Sequence, residues 1–338
     1  MGFTIRDVAK LAGVNASTVS RVINSKASVT EETRERIFSA MKQLNYHPNS
    51  VARNLASGCS ATIGLVLDAE DESAYRNPFF QSSQHAIVQA AQEQGYDVLI
   101  VNGGRHALHA AEGLALEKKV DGLIVPPSAA SPALHDSLGA FPHVFLGQPN
   151  QEMPAGCWVD VDNLQGAQTA VVHLLDRGYR KIAYLGGTPN AGMGFIHRRL
   201  TGYRNAIDGL HAPIVLATDG TPQSAKKAAL TALHMSDRPD AFLCDDNLSA
   251  FGLLQAAEEA GLRVPMDVGA VTFNNYPLAE YTTPALSAMD VDTYLLGAET
   301  ARMLFDQIQG LPTAAHRLIP VRLITRASSA HANDGGNA

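Results

Sequence analysis

Near its N-terminus the chain carries the stretch GVNASTVSRVIN, residues Gly13–Asn24. Asn15 can cap a helix that begins at Ala16, because its side-chain oxygen can accept one of the first unpaired backbone N–H groups. The spacing of the apolar residues predicts one buried stripe on this helix, formed by Val19, Val22 and Ile23. The opposite face carries short side chains and one guanidinium: Ala16, Ser17, Ser20 and Arg21. Such a helix fits the DNA major groove, although an ordinary amphipathic surface helix would show the same pattern.

The residues on either side of this stretch predict two more short helices. Thr4 and Asp7 have the spacing of a capping box, and the helix dipole also favours a carboxylate in the first turn. Gly13 supplies the residue that a tight corner between two helices requires. Thr30 begins a third helix in the same way as Thr4. Residues 1–47 are therefore predicted to form a helix-turn-helix headpiece.

Charge is distributed unevenly along the chain. The 338 residues carry a formal net charge of −7, which alone argues against a nucleic-acid partner. Residues 1–60, however, contain eight Lys/Arg and four Asp/Glu, so this part is positive by 4 and the remainder is negative by 11. A basic N-terminal part on an acidic body is the asymmetry expected when only that part meets phosphate groups.

The segment YHPNSVARNLASG, Tyr46–Gly58, follows the headpiece. Pro48 prevents the third helix from continuing, and Asn49 can cap a new helix that runs only about two turns before Gly58. So short a helix is marginal by itself, and we expect it to form when a partner packs against it. A plain interdomain linker is the alternative interpretation of residues 48–60.

Beyond the hinge, short apolar runs alternate with helical patterns. The first predicted strands are Ile63–Leu67, Asp97–Val101, Gly122–Val125, Val144–Leu146 and Trp158–Val161. Further strands are predicted at Ile182–Gly186, Ala241–Cys244, Val268–Phe273 and Leu318–Thr325. This βαβ rhythm predicts an α/β fold with two doubly wound parallel sheets after the all-α headpiece. Such sheets bind ligands beyond the carboxyl ends of their strands, so polar residues just after strands are the candidate site.

Cysteines and catalytic motifs do not support other classes of protein. The three cysteines, Cys59, Cys157 and Cys244, are widely spaced, so we expect reduced thiols in a cytoplasmic protein and no metal site. The sequence shows no signal-peptide pattern and no run of about 20 apolar residues, so no membrane span is predicted. It also lacks Gly-x-Ser-x-Gly, His-Glu-x-x-His and phosphate-loop motifs, so neither an enzyme activity nor a cofactor is predicted.

Residues Thr4–Gly58 resemble the DNA-binding headpiece and hinge of the lactose/galactose-repressor (LacI/GalR) family of bacterial transcription regulators. The resemblance is carried by IRDVA at Ile5–Ala9, STVSRVIN at Ser17–Asn24, LNYHPN at Leu44–Asn49 and ARNL at Ala52–Leu55. Several ordered motifs over about 55 residues are far more specific than one short motif. The DNA-binding residues that it implies are Thr4, Ala16, Ser17, Thr18, Ser20, Arg21, Asn24, Asn49, Ala52 and Leu55.

The resemblance implies a role for each group of these residues. Ala16, Ser17 and Arg21 would contact bases, whereas the other polar residues would bind phosphates and set the register. Leu55 would enter the minor groove as a wedge at the operator centre, and its alternative role is to pack the hinge onto the core. A solvated helix surface is the alternative for the polar residues Ser20 and Asn24.

Residues 61–328 resemble the effector-binding and dimerisation core of the same family, which is similar to periplasmic sugar-binding proteins. Three crossover strands would divide this core into two subdomains, residues 61–160 with 292–320 and residues 161–291 with 321–328. Residues 329–338 are predicted to be a disordered tail. The predicted effector-binding residues are Phe80, Gln148, Trp158, Asp162, Arg199, Asp246 and Asn274.

The resemblance supports these effector residues unequally. Arg199, Asp246 and Asn274 match the polar effector positions of the family, and a guanidinium can bond two adjacent hydroxyls. Many relatives carry an Asp where Asn274 stands, which suggests an altered choice of effector. Trp158 is either a stacking platform for a sugar or a core residue at a strand start. Relatives often have an Arg at the position of Gln148.

Two segments, Trp158–Asn163 and Phe273–Glu280, look like the maltose-type (MalR-like) regulators within the family. The predicted function is a cytoplasmic homodimeric repressor that leaves a palindromic operator when maltose or another glucoside closes the cleft. A regulator with a corepressor, or an activator, would use the same domains, but its effector would have the opposite effect on DNA binding or transcription. The sequence leaves the direction of this effect open. A sugar-binding transport protein is the alternative from another class, which the headpiece and the missing signal peptide oppose.

Overall fold

The computed structural model describes residues 3–23, 29–47, 58–67, 78–149, 156–187 and 194–330. The chain forms two compact units, Met1–Ser60 and Ala61–Ala338. The described regular elements of the first unit are helices, and the described strands all belong to the second unit. The predicted hinge helix and the tail beyond Ala330 lie outside the described residues.

The first unit contains α1 Ile5–Ala12, α2 Ala16–Ile23 and α3 Glu31–Gln43, and the predicted helix-turn-helix is confirmed. At the start of α1, the Asp7 carboxylate accepts hydrogen bonds from the Thr4 N–H at 2.8 Å and the Thr4 hydroxyl at 2.7 Å. Gly13 ends α1 with a φ of 67°, which glycine adopts without strain. The three helices share a small core of apolar side chains: Val8, Ala9, Ala12, Val19, Val22, Ile37 and Ala40.

The first of two six-stranded sheets defines the first subdomain of the second unit. Its strands are β1 Thr62–Leu67, β2 Asp97–Asn102, β3 Gly122–Val125, β4 His143–Leu146, β5 Trp158–Val161 and β11 His316–Ile319. Neighbouring strands are parallel, in the order β11-β5-β4-β3-β1-β2. The helices of this subdomain are α4 Pro78–Glu93, α5 Ala107–Leu116, α6 Pro132–Leu138 and α11 Thr293–Ile308. Because helices cover a parallel sheet on both faces, its inner strands are continuous apolar runs, and all four residues of β3 are buried.

The second sheet defines the second subdomain. Its strands are β6 Ile182–Gly186, β7 Ile214–Ala217, β8 Ala241–Cys244, β9 Gly269–Phe273, β10 Ser287–Asp290 and β12 Arg322–Ile324. Their order is β12-β10-β9-β8-β6-β7, with β12 antiparallel to β10 and the other pairs parallel. The helices are α7 Asn163–Asp176, α8 Gly194–Ile207, α9 Pro222–Leu233 and α10 Asn247–Glu259. The predicted α/β fold with two doubly wound sheets is confirmed.

The chain passes between the two sheets three times: after β5, after β10, and between β11 and β12. The first crossing brings Asp162 and Asn163 directly from the end of β5 to the start of α7. Residues at this crossing follow a strand of the first subdomain and lie directly before a helix of the second subdomain. Polar side chains near it are therefore placed to join the two subdomains.

Three details of the sequence prediction are wrong. The final strand Leu318–Thr325 is two strands in different sheets, because Pro320 has no N–H to continue a ladder. The predicted disordered tail begins too early, because the buried Ser329 hydroxyl lies 2.7 Å from His173 Nε2 and 2.7 Å from Ser287 Oγ. Four elements were not predicted at all: α6, β7, α9 and β10.

Within the described parts of the chain, no helix combines the length and the apolar character needed to cross a membrane. The same residues contain no group of three or more His, Cys, Asp or Glu side chains arranged to hold a metal ion.

Candidate functional site

The exposed face of α2 carries the residues predicted to contact bases. Ser17 and Arg21 are exposed and Ala16 is half-buried, whereas Val19 and Val22 are turned into the headpiece core. Ser17 and Arg21 lie four residues apart, so their side chains share one face of the helix. This face presents a hydroxyl and a guanidinium to solvent, and these groups bond base edges and phosphates in DNA.

The other predicted DNA-binding residues are described only in part. Thr4 is exposed and is bonded to Asp7, and Thr18 and Ser20 are half-buried. The remaining ones lie outside the described residues: Asn24, Asn49, Ala52 and Leu55. The DNA contacts of all of these residues stay predictions.

Arg199 on α8 is the centre of a buried polar cluster in the second unit, with 4% of the residue exposed. Its Nε donates to Asn163 Oδ1 at 2.8 Å, and its Nη1 donates to the carbonyl oxygen of Asp245. The guanidinium lies over two aromatic rings, 3.9 Å from the ring centre of Phe273 and 4.9 Å from that of Phe195. Two acceptors and two cation–π contacts hold the guanidinium plane in one orientation.

Asp246 and Asn274 lie beside Arg199, just beyond the carboxyl ends of β8 and β9. Asn274 Nδ2 donates to Asp246 Oδ2 at 2.8 Å. Asn247 Nδ2 donates to the carbonyl oxygens of Phe273 at 3.0 Å and Asn274 at 2.7 Å. Asn274 has a φ of 66°, a left-handed conformation in which Asn is enriched. The structure therefore brings together the three residues that match the family's polar effector positions.

Buried charge surrounds this cluster. Burial raises the pKa of Asp245, while hydrogen bonds from the Gly187 N–H at 2.7 Å and the Ser249 hydroxyl at 2.8 Å act in the opposite direction. Burial also raises the pKa of Asp160 and lowers that of Arg199, and the attraction between opposite charges opposes both shifts. Hydrogen bonds are stronger in such a water-poor region, so a ligand that completes this cluster would be held firmly.

Two buried carboxylates of this region, Asp160 and Asp245, were missed by sequence reasoning, which selected the next acidic residues along the chain. Asp160 Oδ1 accepts from the Val161 N–H at 2.7 Å and from Asn163 Nδ2 at 3.3 Å, and its Oδ2 accepts from the Gln148 N–H at 3.0 Å. A signal was present, because Asp160 interrupts the apolar run of β5. A carboxylate inside a strand of a sheet covered on both faces is rare unless it is paired.

The remaining predicted effector residues have described partners of their own. Asp162 caps α7, because its Oδ1 accepts the Gln165 N–H at 3.0 Å. The backbone N–H of Gln148 is bonded to Asp160, as described above. Phe80 lies half-buried in the first turn of α4, and its ring meets that of Phe79 edge-on at 5.5 Å. The effector contacts of Phe80, Gln148 and Asp162 stay predictions.

Trp158 is placed away from the cluster. It is the first residue of β5, and the candidate site lies beyond the last, Val161. A strand rises about 3.3 Å per residue, so the two ends of β5 are roughly 10 Å apart. One face of the indole is stacked on the His316 ring, 4.7 Å away at an angle of 15°. This placement favours the alternative role of Trp158 as a packing residue, and its effector contact stays a prediction.

The contact between Asn274 and Asp246 makes a prediction for Asn274→Asp. A second carboxylate about 3 Å from the first raises the pKa at which the pair takes up a proton in the folded protein. Stability is then lost as pH rises through that raised pKa, by about 1–2 kcal/mol for a shift of about one unit. We expect the melting temperature of the variant to lie below the wild-type value, and by more at pH 8 than at pH 4.5.

Asn205→Asp serves as the control, because Asn205 is exposed on α8. Melting curves of both variants and the wild type from pH 4.5 to 8 test the idea. An Asn274→Asp curve that runs parallel to the wild type over this range would contradict the close pairing.

Both units of the chain match models of known protein families. A family model described as bacterial regulatory proteins, lacI family, matches residues 4–49. A model described as a periplasmic binding protein-like domain matches residues 171–329. The ribose operon repressor of Halalkalibacterium halodurans is 34% identical over 340 residues, which cover 99% of either chain. The chain belongs to the LacI family.

Solved structures of LacI-family proteins are similar over nearly the full length. The lac repressor dimer bound to operator and an anti-inducer is 27% identical, with a TM-score of 0.85, 97% of this chain covered and 99% of the other. A complex of the transcriptional regulator CelR with cellobiose is 29% identical, with a TM-score of 0.72, 96% of this chain covered and 99% of the other. This LacI-family chain is a DNA-binding transcriptional repressor with an effector-binding domain, and the prediction that it is not an enzyme is confirmed.

Proposed function

We propose that this protein is a homodimeric repressor that binds a pseudo-palindromic operator through α2 and is released when a sugar binds the Arg199 cluster. One observation carries the effector part of the proposal. Beyond the carboxyl ends of the second sheet, Asn274 bonds Asp246, and Arg199 contacts the preceding residues Asp245 and Phe273 and bonds Asn163 at the crossing. This is the position in which open α/β sheets bind ligands.

The polar groups of the cluster favour a neutral, hydroxyl-rich effector. Its described charged side chains are two guanidiniums, those of Arg198 and Arg199, and three carboxylates, those of Asp160, Asp245 and Asp246. A phosphorylated ligand would meet this surplus of carboxylates at a high electrostatic cost. Among the described residues, the buried side-chain oxygens of Asn247 and Asn274 have no hydrogen-bond partner, so the site offers acceptors that sugar hydroxyls can satisfy.

The identity of the sugar is the finer part of the proposal. The maltose-type assignment depends on two short segments, whereas one similar protein is a ribose operon repressor and another was solved in complex with cellobiose. We therefore propose a glycoside or free sugar as the class of effector, with cellobiose and ribose placed beside maltose as the first compounds to test. A nucleobase that shifts the melting temperature while all sugars fail would contradict this class.

The proposed switch uses the predicted division of the chain into a headpiece (1–47), a hinge (48–60) and a core (61–328). Sugar binding would change the arrangement of the two subdomains of the core, and the hinge would transmit this change to the headpiece. For such coupling, operator and sugar must favour different states, and each must weaken the other's binding by the same factor. Such a regulator would act in the cytoplasm, where operator DNA and sugars meet.

The experiment that tests the function combines DNA and sugar. An operator is first selected from random double-stranded DNA with the full-length protein, and its Kd is measured by fluorescence anisotropy. Maltose, cellobiose and ribose are then added in turn. We expect at least one sugar to weaken operator binding by about 10-fold or more, which corresponds to about 1.4 kcal/mol of coupling. A sugar that tightens operator binding would instead show a corepressor.

The exposed guanidinium of α2 makes a prediction for Arg21→Ala. A bidentate contact between Arg and guanine contributes about 1–3 kcal/mol of discrimination, and a dimer makes it twice. We expect the affinity for the selected operator to fall by about 100-fold or more, while the affinity for random DNA falls far less. Both values come from anisotropy titrations at one fixed salt concentration, because phosphate contacts depend strongly on salt.

Arg36→Ala is the matched control, since Arg36 is an exposed arginine of the same headpiece that bonds the Thr33 hydroxyl at 3.3 Å. It removes the same charge and should lower both affinities to a similar, small extent. If Arg21→Ala kept the wild-type ratio of specific to random binding, α2 would not be the recognition helix.

A further inference from the structure

Arg198, which precedes Arg199 on α8, borders the cluster but is not among the predicted effector-binding residues. Its Nη2 donates to the carbonyl oxygen of Pro149 at 2.9 Å and to that of Gln148 at 3.4 Å. These carbonyls follow β4 of the first subdomain, whereas α8 belongs to the second. A guanidinium of one subdomain therefore holds the backbone of the other.

Gln148 is held from both sides. Its carbonyl oxygen accepts from Arg198, and its N–H donates to Asp160 Oδ2 at 3.0 Å. Arg198 and Asp160 also attract one another, and this attraction opposes the effect of burial on the pKa of each group. The backbone of Gln148 is thus hydrogen-bonded to Arg198 of the second subdomain and to the Asp160 carboxylate of β5.

The two adjacent arginines reach opposite ends of one network. Arg198 holds Gln148, Gln148 bonds Asp160, Asp160 bonds Asn163, and Asn163 bonds Arg199. Successive residues of a helix point about 100° apart, so a rigid α8 can place one arginine on the loop and the other in the cluster. A shift of α8 relative to the first subdomain would therefore disturb both contacts together.

We propose that Arg198 is a positioning residue, which ties the Gln148–Pro149 segment of the first subdomain to α8 and thereby holds the two subdomains in register around the Arg199 cluster. Its importance for the sugar response rests on the function proposed above, whereas the tie itself does not. A guanidinium suits this task because it keeps its charge when buried and its Nη2 carries two N–H groups, which serve the two neighbouring carbonyls.

Hydrogen exchange of the full-length protein, without sugar or DNA, tests the tie. Two amides report on it: Gln148 N–H, which is bonded to Asp160, and Gly187 N–H, which donates to Asp245 Oδ2 at 2.7 Å in the second subdomain. Arg198→Gln should speed the exchange of both amides by about 10-fold, the effect of losing a charge-assisted hydrogen bond of ordinary strength. Arg198→Lys should restore part of the protection.

Arg204→Gln is the control, because Arg204 is exposed on the same helix. Exchange in this variant should equal the wild type, and exchange in β1 and β3 should be unchanged in every variant. Faster exchange at Gln148 alone would overturn the proposal, since Arg198 would then be a local clamp on the loop. Unchanged exchange at both amides, or an equal increase in β1 and β3, would overturn it as well.

Discussion

Arg199→Ala should abolish the response to sugar while operator binding persists. The substitution removes a guanidinium that donates to Asn163 Oδ1 at 2.8 Å and to the Asp245 carbonyl oxygen, and it leaves both acceptors unpaired. Hydrogen bonds to charged groups contribute about 1.5–3 kcal/mol each. Loss of two such bonds to sugar hydroxyls would lower sugar affinity by about 100-fold or more.

The measurement is a titration of operator-bound protein with the most effective sugar of the panel, followed by anisotropy. Arg199→Lys is the partner variant, because it keeps a buried positive charge opposite Asp245 but loses the planar fork. We expect both variants to bind operator and neither to release it at sugar concentrations that release the wild type. A wild-type response in both would remove Arg199 from the effector site.

Gly202→Ala should strongly destabilise the core. A Cβ at Gly202 would lie 2.2 Å from the carbonyl oxygen of Leu164 and 2.9 Å from the Cβ of Ala167, so α8 cannot remain this close to α7. Overpacking of this kind costs about 1–3 kcal/mol, and more where the neighbour is backbone that cannot move aside. We expect a loss of about 3 kcal/mol in the free energy of unfolding of the core.

Gly113→Ala is the matched control, because it makes the same change in the middle of α5 with no atom within 4 Å of the new Cβ. Alanine is favoured over glycine in a helix, so this variant should gain about 0.5–1 kcal/mol. Urea unfolding followed by circular dichroism measures both changes. Equal stability of the two variants would mean that the packing of α7 against α8 relaxes at no cost.

Local patterns determined most of the fold. The caps at Thr4 and Thr30 and the corner at Gly13 depend on residues within four positions of each other, and the observed helices begin where these signals stand. The nine predicted strands located ten of the twelve described strands, because the last prediction spans both β11 and β12, whereas β7 and β10 were missed. Ser287–Asp290 contains polar residues and shows no continuous apolar run, whereas Ile214–Ala217 is a short apolar run, half-exposed at a sheet edge, that was overlooked.

Part of the candidate site was also accessible from the sequence. Arg199, Asp246 and Asn274 were selected because they match the polar effector positions of the family, and the structure places them near one another. Trp158 was selected by residue type, and it lies at the amino end of β5. Which end of a strand lies at the cleft depends on the direction of that strand in the sheet. A list of apolar runs does not specify this direction.

By itself, the sequence determined the three helices of the headpiece, the α/β class of the core and the positions at which polar residues follow strands. These properties arise from backbone capping and hydrophobic periodicity, which act over a few residues. Only the tertiary structure decided which carboxylates are buried and which arginine joins the subdomains. Asp245 meets the Gly187 N–H across 58 residues, and Arg199 meets Asn163 across 36. Burial and pairing depend on such distant partners, and no local pattern records them.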